Sequence, residues 1–234
     1  GEGSSPVHVF FTASYLSSTH KQMDDLTFTL FAGGRLLIDE MGFDDWLSNM
    51  RLIHTRTMRL PEAHNTVTCS RGSWNAAQPG CSGIRKYFFG DRILSIKAEH
   101  KRISEARVER YLILDGSEIL FVIDRVKTES PREFRQIFHV PEDTGEGAGE
   151  RVFSCADDDF CMTVSNFNYA ATAQLRGARK VRGNTLVPAK AITFIMTVER
   201  AGDFITVLQF SSRPFLVENV KVDISPDDIV SINY

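Results

Sequence analysis

Arg107-Val108-Glu109-Arg110-Tyr111-Leu112-Ile113-Leu114, then Asp115-Gly116, then Glu118-Ile119-Leu120-Phe121-Val122-Ile123-Asp124-Arg125-Val126, is the stretch that decides the fold. The first run alternates polar and apolar positions, the period of a half-buried strand. Asp115-Gly116 supplies a tight turn, because both residue types accept the positive φ that hairpin turns demand. The second run then returns as an antiparallel partner. A second hairpin reads the same way, with Ala191–Arg200 and Phe204–Phe210 joined through Ala201-Gly202-Asp203. Outward from these, short runs rich in Val, Ile, Leu and Phe predict strands at Val7–Thr12, Leu26–Phe31, Arg35–Asp39, Arg92–Glu99, Glu133–Val140, Arg151–Cys155, Cys161–Val164, Asn168–Leu175 and Ile229–Tyr234. Ala32-Gly33-Gly34 is a turn between two of them. Helical signal is confined to Asp44–Leu52, one or two turns with Asp44 as N-cap. Ser70–Gly83 and the acidic Pro141–Glu150 read as loops. With no internal repeat and no long linker, the pattern predicts an all-β chain, one large antiparallel two-sheet β-sandwich over residues 1–234.

Apolar residues make up 42% and charged residues 24%, as in ordinary globular domains. The formal net charge of −3 gives no global attraction to a polyanion, so any such affinity needs a local basic patch. No apolar run approaches the ~20 residues of a membrane span. Basic clusters lack interleaved aromatics, and there is no phosphate-binding Gly loop or Gly-x-Ser-x-Gly elbow, which sets nucleic acid and those enzyme classes aside. Residues Gly1–Ser5 show neither an initiator Met nor a leader and read as the start of an excised or processed domain. Four cysteines, Cys69, Cys81, Cys155 and Cys161, are compatible with two disulfides in three connectivities, Cys155 and Cys161 flanking a hairpin turn. They lean toward an oxidising compartment, periplasmic or secreted.

Side chains able to move a proton or bind a metal sit beside three strand-like runs. These are His20-Lys21-Gln22-Met23-Asp24-Asp25-Leu26-Thr27-Phe28, Leu36-Leu37-Ile38-Asp39, and Ala63-His64-Asn65-Thr66-Val67. Asp24 and Asp25 are adjacent, so on a strand they would face opposite ways and do not form an acid–base pair. Asn65 and Thr66 are explained by turn and strand entry. His8, His100 and His139 read as structural. Arg51, His54, Arg56 and Arg59 lie between Asp39 and His64. Guanidinium groups there would suit bidentate pairing with carboxylates or sulfates, or else form a solvated strand face. Arg176, Arg179, Lys180 and Arg182 read as a loop in contact with solvent or a partner surface.

The three motif segments resemble the C-terminal β domain of heparinase II/III-like polysaccharide lyases, a group that includes alginate lyases. Those domains typically carry His-x-His-x-x-Asp-x-x-Phe, then Leu-Leu-x-Asp-x-Gly, then Ala-His-Asn-Thr-Val. The specific match spans about residues 15–70. The resemblance implies a supersandwich fold, an acidic, uronate-containing polysaccharide as partner, and cleavage by β-elimination. It also implies an N-terminal helical toroid, absent from this chain, that supplies a Tyr and an Asn or His. By resemblance His20 is the catalytic histidine pointing into the cleft, with Arg51 and Arg56 as substrate-binding candidates. Asp39 and His64 align with two of three metal ligands, usually zinc. Gln22 stands where the family has its third ligand, a histidine, and a neutral amide oxygen is a weaker zinc ligand. Two readings of Gln22, Asp39 and His64 follow: a divalent-cation site, or a metal-free hydrogen-bonded cluster. Two readings of the whole follow as well: a lyase module forming one wall of a cleft, or a non-catalytic carbohydrate-binding or structural sandwich.

Overall fold

The computed structural model describes residues 6–14, 22–41, 59–70, 74, 81–156, 160–182, 185–212 and 217–234, without the side chains of 181–186. In chain order the strands are β1 (His8–Phe11), β2 (Phe28–Ala32), β3 (Arg35–Ile38), β4 (Val67–Cys69), β5 (Ser82–Phe89), β6 (Ile93–His100), β7 (Ala106–Asp115), β8 (Ile119–Thr128), β9 (Arg132–Val140), β10 (Gly145–Glu146), β11 (Val152–Ala156), β12 (Cys161–Asn166), β13 (Thr172–Arg182), β14 (Thr185–Val198), β15 (Ala201–Ser211), β16 (Lys221–Ile224) and β17 (Val230–Asn233). A single 3₁₀ turn, Pro61–Ala63, is the one helical element among the described residues. The fold is the all-β, antiparallel sandwich that the hairpins foretell.

One layer is an eight-stranded sheet in the order β10-β11-β12-β15-β8-β7-β6-β5. Facing it are a four-stranded sheet, β13-β14-β9-β4, and a three-stranded sheet, β1-β2-β3. Among the described residues one antiparallel bridge, Asp39 to His139, joins the last two along the edge of β9. The main core lies between the layers and draws Leu30, Leu37, Val122, Phe134, Phe138, Phe194, Phe204 and Phe210 from all three sheets. β8 is buried along most of its length. In β8, Leu120, Val122 and Val126 face this core, while Ile119, Phe121 and Ile123 face a second, smaller one. The second core is closed by the C-terminal hairpin β16–β17 through Val222, Ile224, Val230 and Ile232. Burial on both faces explains why β8 reads as a continuous apolar run.

Several boundaries differ from those the sequence predicts. The second hairpin turns at Glu199-Arg200, because Ala201–Asp203 already pair with Lys127–Arg125 of β8. Asp203 is fixed there by Arg125 in a two-point contact at 3.0 and 3.1 Å. The loop expected at Ser70–Gly83 ends early, with β5 beginning at Ser82. Residues expected as a solvent loop, Arg176 to Arg182, continue β13 and pair in register with β14 from Ala191 to Thr185. Cys155 lies opposite Met162, and Cys161 opposite Ala156. That register turns the two thiols to opposite faces of the sheet, and Cys81, Cys155 and Cys161 are free thiols. The helical turn expected over Asp44–Leu52 falls outside the described residues.

Candidate functional site

The corner where the three-stranded sheet meets β9 holds the motif residues. β2 and β3 are joined by Gly33 (φ 58°) and Gly34 (φ 75°), a pair of positive-φ positions suited to a two-residue hairpin. At Gly33 a side chain would also collide with the Phe160 ring, 2.4 Å from where a Cβ would lie. A register shift at Leu30/Phe31 sets Ile38 opposite Leu30 and buries Leu37 and Ile38. The chain then runs into Asp39, whose backbone N donates to His139 O at 3.0 Å.

Asn65 is the hub of this corner. It is fully buried, and its amide uses every donor and acceptor it has. Nδ2 donates to Phe28 O at 2.8 Å and Asp39 O at 2.6 Å, while Oδ1 accepts from His139 N at 2.7 Å and lies 3.2 Å from His139 Nδ1. One side chain therefore ties β2, the end of β3 and β9 together. Its own carbonyl accepts from Arg110 Nη1 at 2.5 Å. Arg110 grips Asp124 in a two-point contact at 2.7 and 2.6 Å, both side chains fully buried between the layers. From Asp124 the chain of hydrogen bonds continues to Gln136 (2.7 Å), Thr206 (2.6 Å) and Asn166 (2.9 Å). A parallel anchor is Asp25, buried and 3.1 Å from Arg102 Nε.

His64 is buried, with Nδ1 2.5 Å from Glu40 Oε2 and Nε2 without a hydrogen-bond partner among the described residues. Glu40 also accepts from the Thr27 hydroxyl. A carboxylate holding one imidazole nitrogen aims the other at whatever the histidine serves. Asp39 points elsewhere: Oδ1 accepts from Glu40 N at 2.8 Å, and Oδ2 is 2.6 Å from Lys180 Nζ on β13. Burial pushes the His139 imidazole down to about 4, with the Glu40 carboxylate opposing and His64 assisting.

The corner thus gathers Asp39, His64 and Asn65. Gln22 is half-buried next to Met23, whose N donates to Arg59 O at 3.1 Å. His20, Arg51 and Arg56 lie outside the described residues. Among the described residues no three His, Cys, Asp or Glu side chains form a set that could hold a metal ion. As a test of fit, the His64 nitrogen suits zinc, but the Asp39 carboxylate already carries an ammonium and the third position is an amide. The set does not fit a tight zinc site. Sequence reasoning missed Glu40, Lys180 and the hub role of Asn65. Glu40 had a signal, as a carboxylate directly after the motif Asp. Lys180 had none, because its contact spans 141 residues.

Comparison with known proteins agrees with this geometry. The family model described as heparinase II/III-like, C-terminal, matches residues 4–214. The chain belongs to that family. A heparan sulfate lyase HepC structure from Pedobacter heparinus is similar with a TM-score of 0.80 at 14% identity, over 96% of this chain and 37% of that one. A heparinase III, the BT4657 gene product, gives 0.78 at 15% identity, over 93% of this chain and 34% of its own. A further heparinase III gives 0.74 at 15%, over 92% and 35%. The chain therefore spans little more than a third of these proteins. No curated protein sequence matches significantly. No helix among the described residues is long and apolar enough to cross a membrane.

Proposed function

We propose that this chain is the β-sandwich wall of a polysaccharide lyase that cleaves a uronate-containing acidic polysaccharide by β-elimination. The observation that carries the reading is the family match, together with the order of the three motif segments at one corner. Elimination requires a base for the C5 proton, a positive group against the uronate carboxylate, and an acid for the departing oxygen. His20 is assigned to proton transfer, with Arg51 and Arg56 contacting the carboxylate or sulfates. The described residues that flank the assigned ones support the reading: Met23 N donates to Arg59 O at 3.1 Å, and Met41 N donates to Ala63 O at 3.4 Å, two residues before Asn65. The remaining groups, a Tyr and an Asn or His by the family resemblance, come from a helical domain of the same parent protein, in a periplasmic or secreted setting.

The test joins this chain to its helical partner domain and follows the ultraviolet absorbance of the unsaturated product on alginate, heparan sulfate and related glycans. Turnover that is lost on His20→Ala is the expected result. Full activity of His20→Ala removes the assignment of that residue. Gln22 in place of a histidine favours a second reading, a carbohydrate-binding sandwich without catalysis. Glycan binding with no turnover by the joined protein selects it.

A further inference from the structure

We propose that Lys180 takes the place of the divalent cation at this corner, so that the site is complete without metal. The Lys180 ammonium lies 2.6 Å from Asp39 Oδ2, and both side chains are only about one-fifth exposed (21% and 22%). The second carboxylate oxygen is engaged by Glu40 N at 2.8 Å, so each Asp39 oxygen already has a donor. A zinc ion bound to this carboxylate would sit ~2.0–2.2 Å from an oxygen, placing two cations against one anion. Lys180 is not a wandering surface chain. It belongs to β13, and its register is fixed opposite Val187 of β14.

The other ligand positions point the same way. Gln22 offers a neutral amide where a histidine would bind zinc more strongly. Exchanging a histidine for an amide weakens a metal site, and an ammonium supplies the positive charge that the Asp39 carboxylate then needs. His64 remains aimed by Glu40, with a buried Nε2 that has no hydrogen-bond partner among the described residues. That nitrogen is the donor a metal would use if Lys180 were withdrawn. The inference rests on the family reading of Gln22, Asp39 and His64 as the ligand positions. Its readouts are metal content and thermal unfolding, so its failure is distinguishable from failure of the lyase assignment.

The chain and its variants are purified without chelator, assayed for metal, and melted with EDTA or with added zinc. The native chain is expected to hold no stoichiometric metal and to melt at the same temperature in both. Lys180→Met is expected to lower Tm by about 2–4 °C, the size for a partly exposed ion pair in a chain of this length. Added zinc should restore it. Gln22→His/Lys180→Met should bind one zinc per chain, whereas Lys180→Arg should behave as the native protein does. Stoichiometric zinc in the native chain, or a Tm that EDTA lowers, overturns the proposal. So does a Lys180→Met variant with unchanged Tm and no response to zinc. Should Lys180→Met not fold, Asp39→Asn/Lys180→Met decides. A folded double variant upholds the charge pairing, and an unfolded one overturns it.

Discussion

Glu109 and Arg110 are neighbours on β7 and belong to different electrostatic worlds. Arg110 points between the layers, where it and Asp124 are fully buried and its Nη1 reaches Asn65 O at 2.5 Å. Glu109 points to the other face, into a network with Lys97 (3.2 Å), Arg107 (2.8 Å) and Lys127 (3.4 Å). Lys97 passes the network on to Asp228 at 2.6 Å, beneath the C-terminal hairpin. The inner pair is a desolvated joint with one geometry. The outer group joins two buried residues, Glu109 and Lys97, to partners that reach solvent, Arg107, Lys127 and Asp228, and Lys97 lowers the Asp228 pKa to about 2. Charge inside a sandwich thus specifies how the layers meet, whereas charge on its outer face fastens a peripheral element.

The sharpest way to break the inner joint is Arg110→Met. It strands the Asp124 carboxylate, which should cost about 3–5 kcal/mol, measured by urea unfolding. Asn65→Ala leaves Phe28 O, Asp39 O and His139 N without their partner and should cost about 3 kcal/mol. The same unfolding experiment reads it, with loss of protection at the Asp39–His139 bridge in hydrogen exchange. Acid separates the two regions by pH. The His139 pKa is depressed in the folded state, so its contribution is present above about 6.5 and is lost as pH falls toward about 4. Stability should drop by up to about 3 kcal/mol over that window. Asp228, depressed to about 2 chiefly by its hydrogen bond to Lys97, loses its contribution only below its ordinary value near 3.8. The smallest effect is expected for Asp228→Asn, under about 1 kcal/mol and shrinking with added salt. Asn tolerates the positive φ of 64° at that position, so the change isolates charge. A salt-independent loss would mean that the outer network is as desolvated as the inner one.

The fold was legible because its evidence is local. β7 and β8 announce themselves by alternation and an Asp-Gly turn, and β2 and β3 by a Gly pair between apolar runs. The corner was legible in part, since Asp39, His64 and Asn65 lie in short, ordered motifs. What sequence could not supply were contacts of high separation. Arg110 reaches Asn65, and Lys180 reaches Asp39, only because the layers and the β13–β14 register bring them together. The basic run Arg176 to Arg182 looked like a loop because alternating strand positions there are polar on both sides. Arg176 and Arg179 are exposed, while Lys180 is half-buried.

The family match ends at residue 214, yet the hairpin β16–β17 that closes the second core begins at Lys221. Trimming the protein to its recognised family boundary would uncover Tyr111, Phe121, Ile123 and Val207 together on one face of the large sheet. Those side chains form a sticky apolar surface of the kind that drives self-association. Such a truncated product would come to grief by aggregation during expression, although its main core and the Asn65 corner were intact. The last strands are therefore a solubility element, and the working boundary of this module lies beyond the one its sequence signature marks.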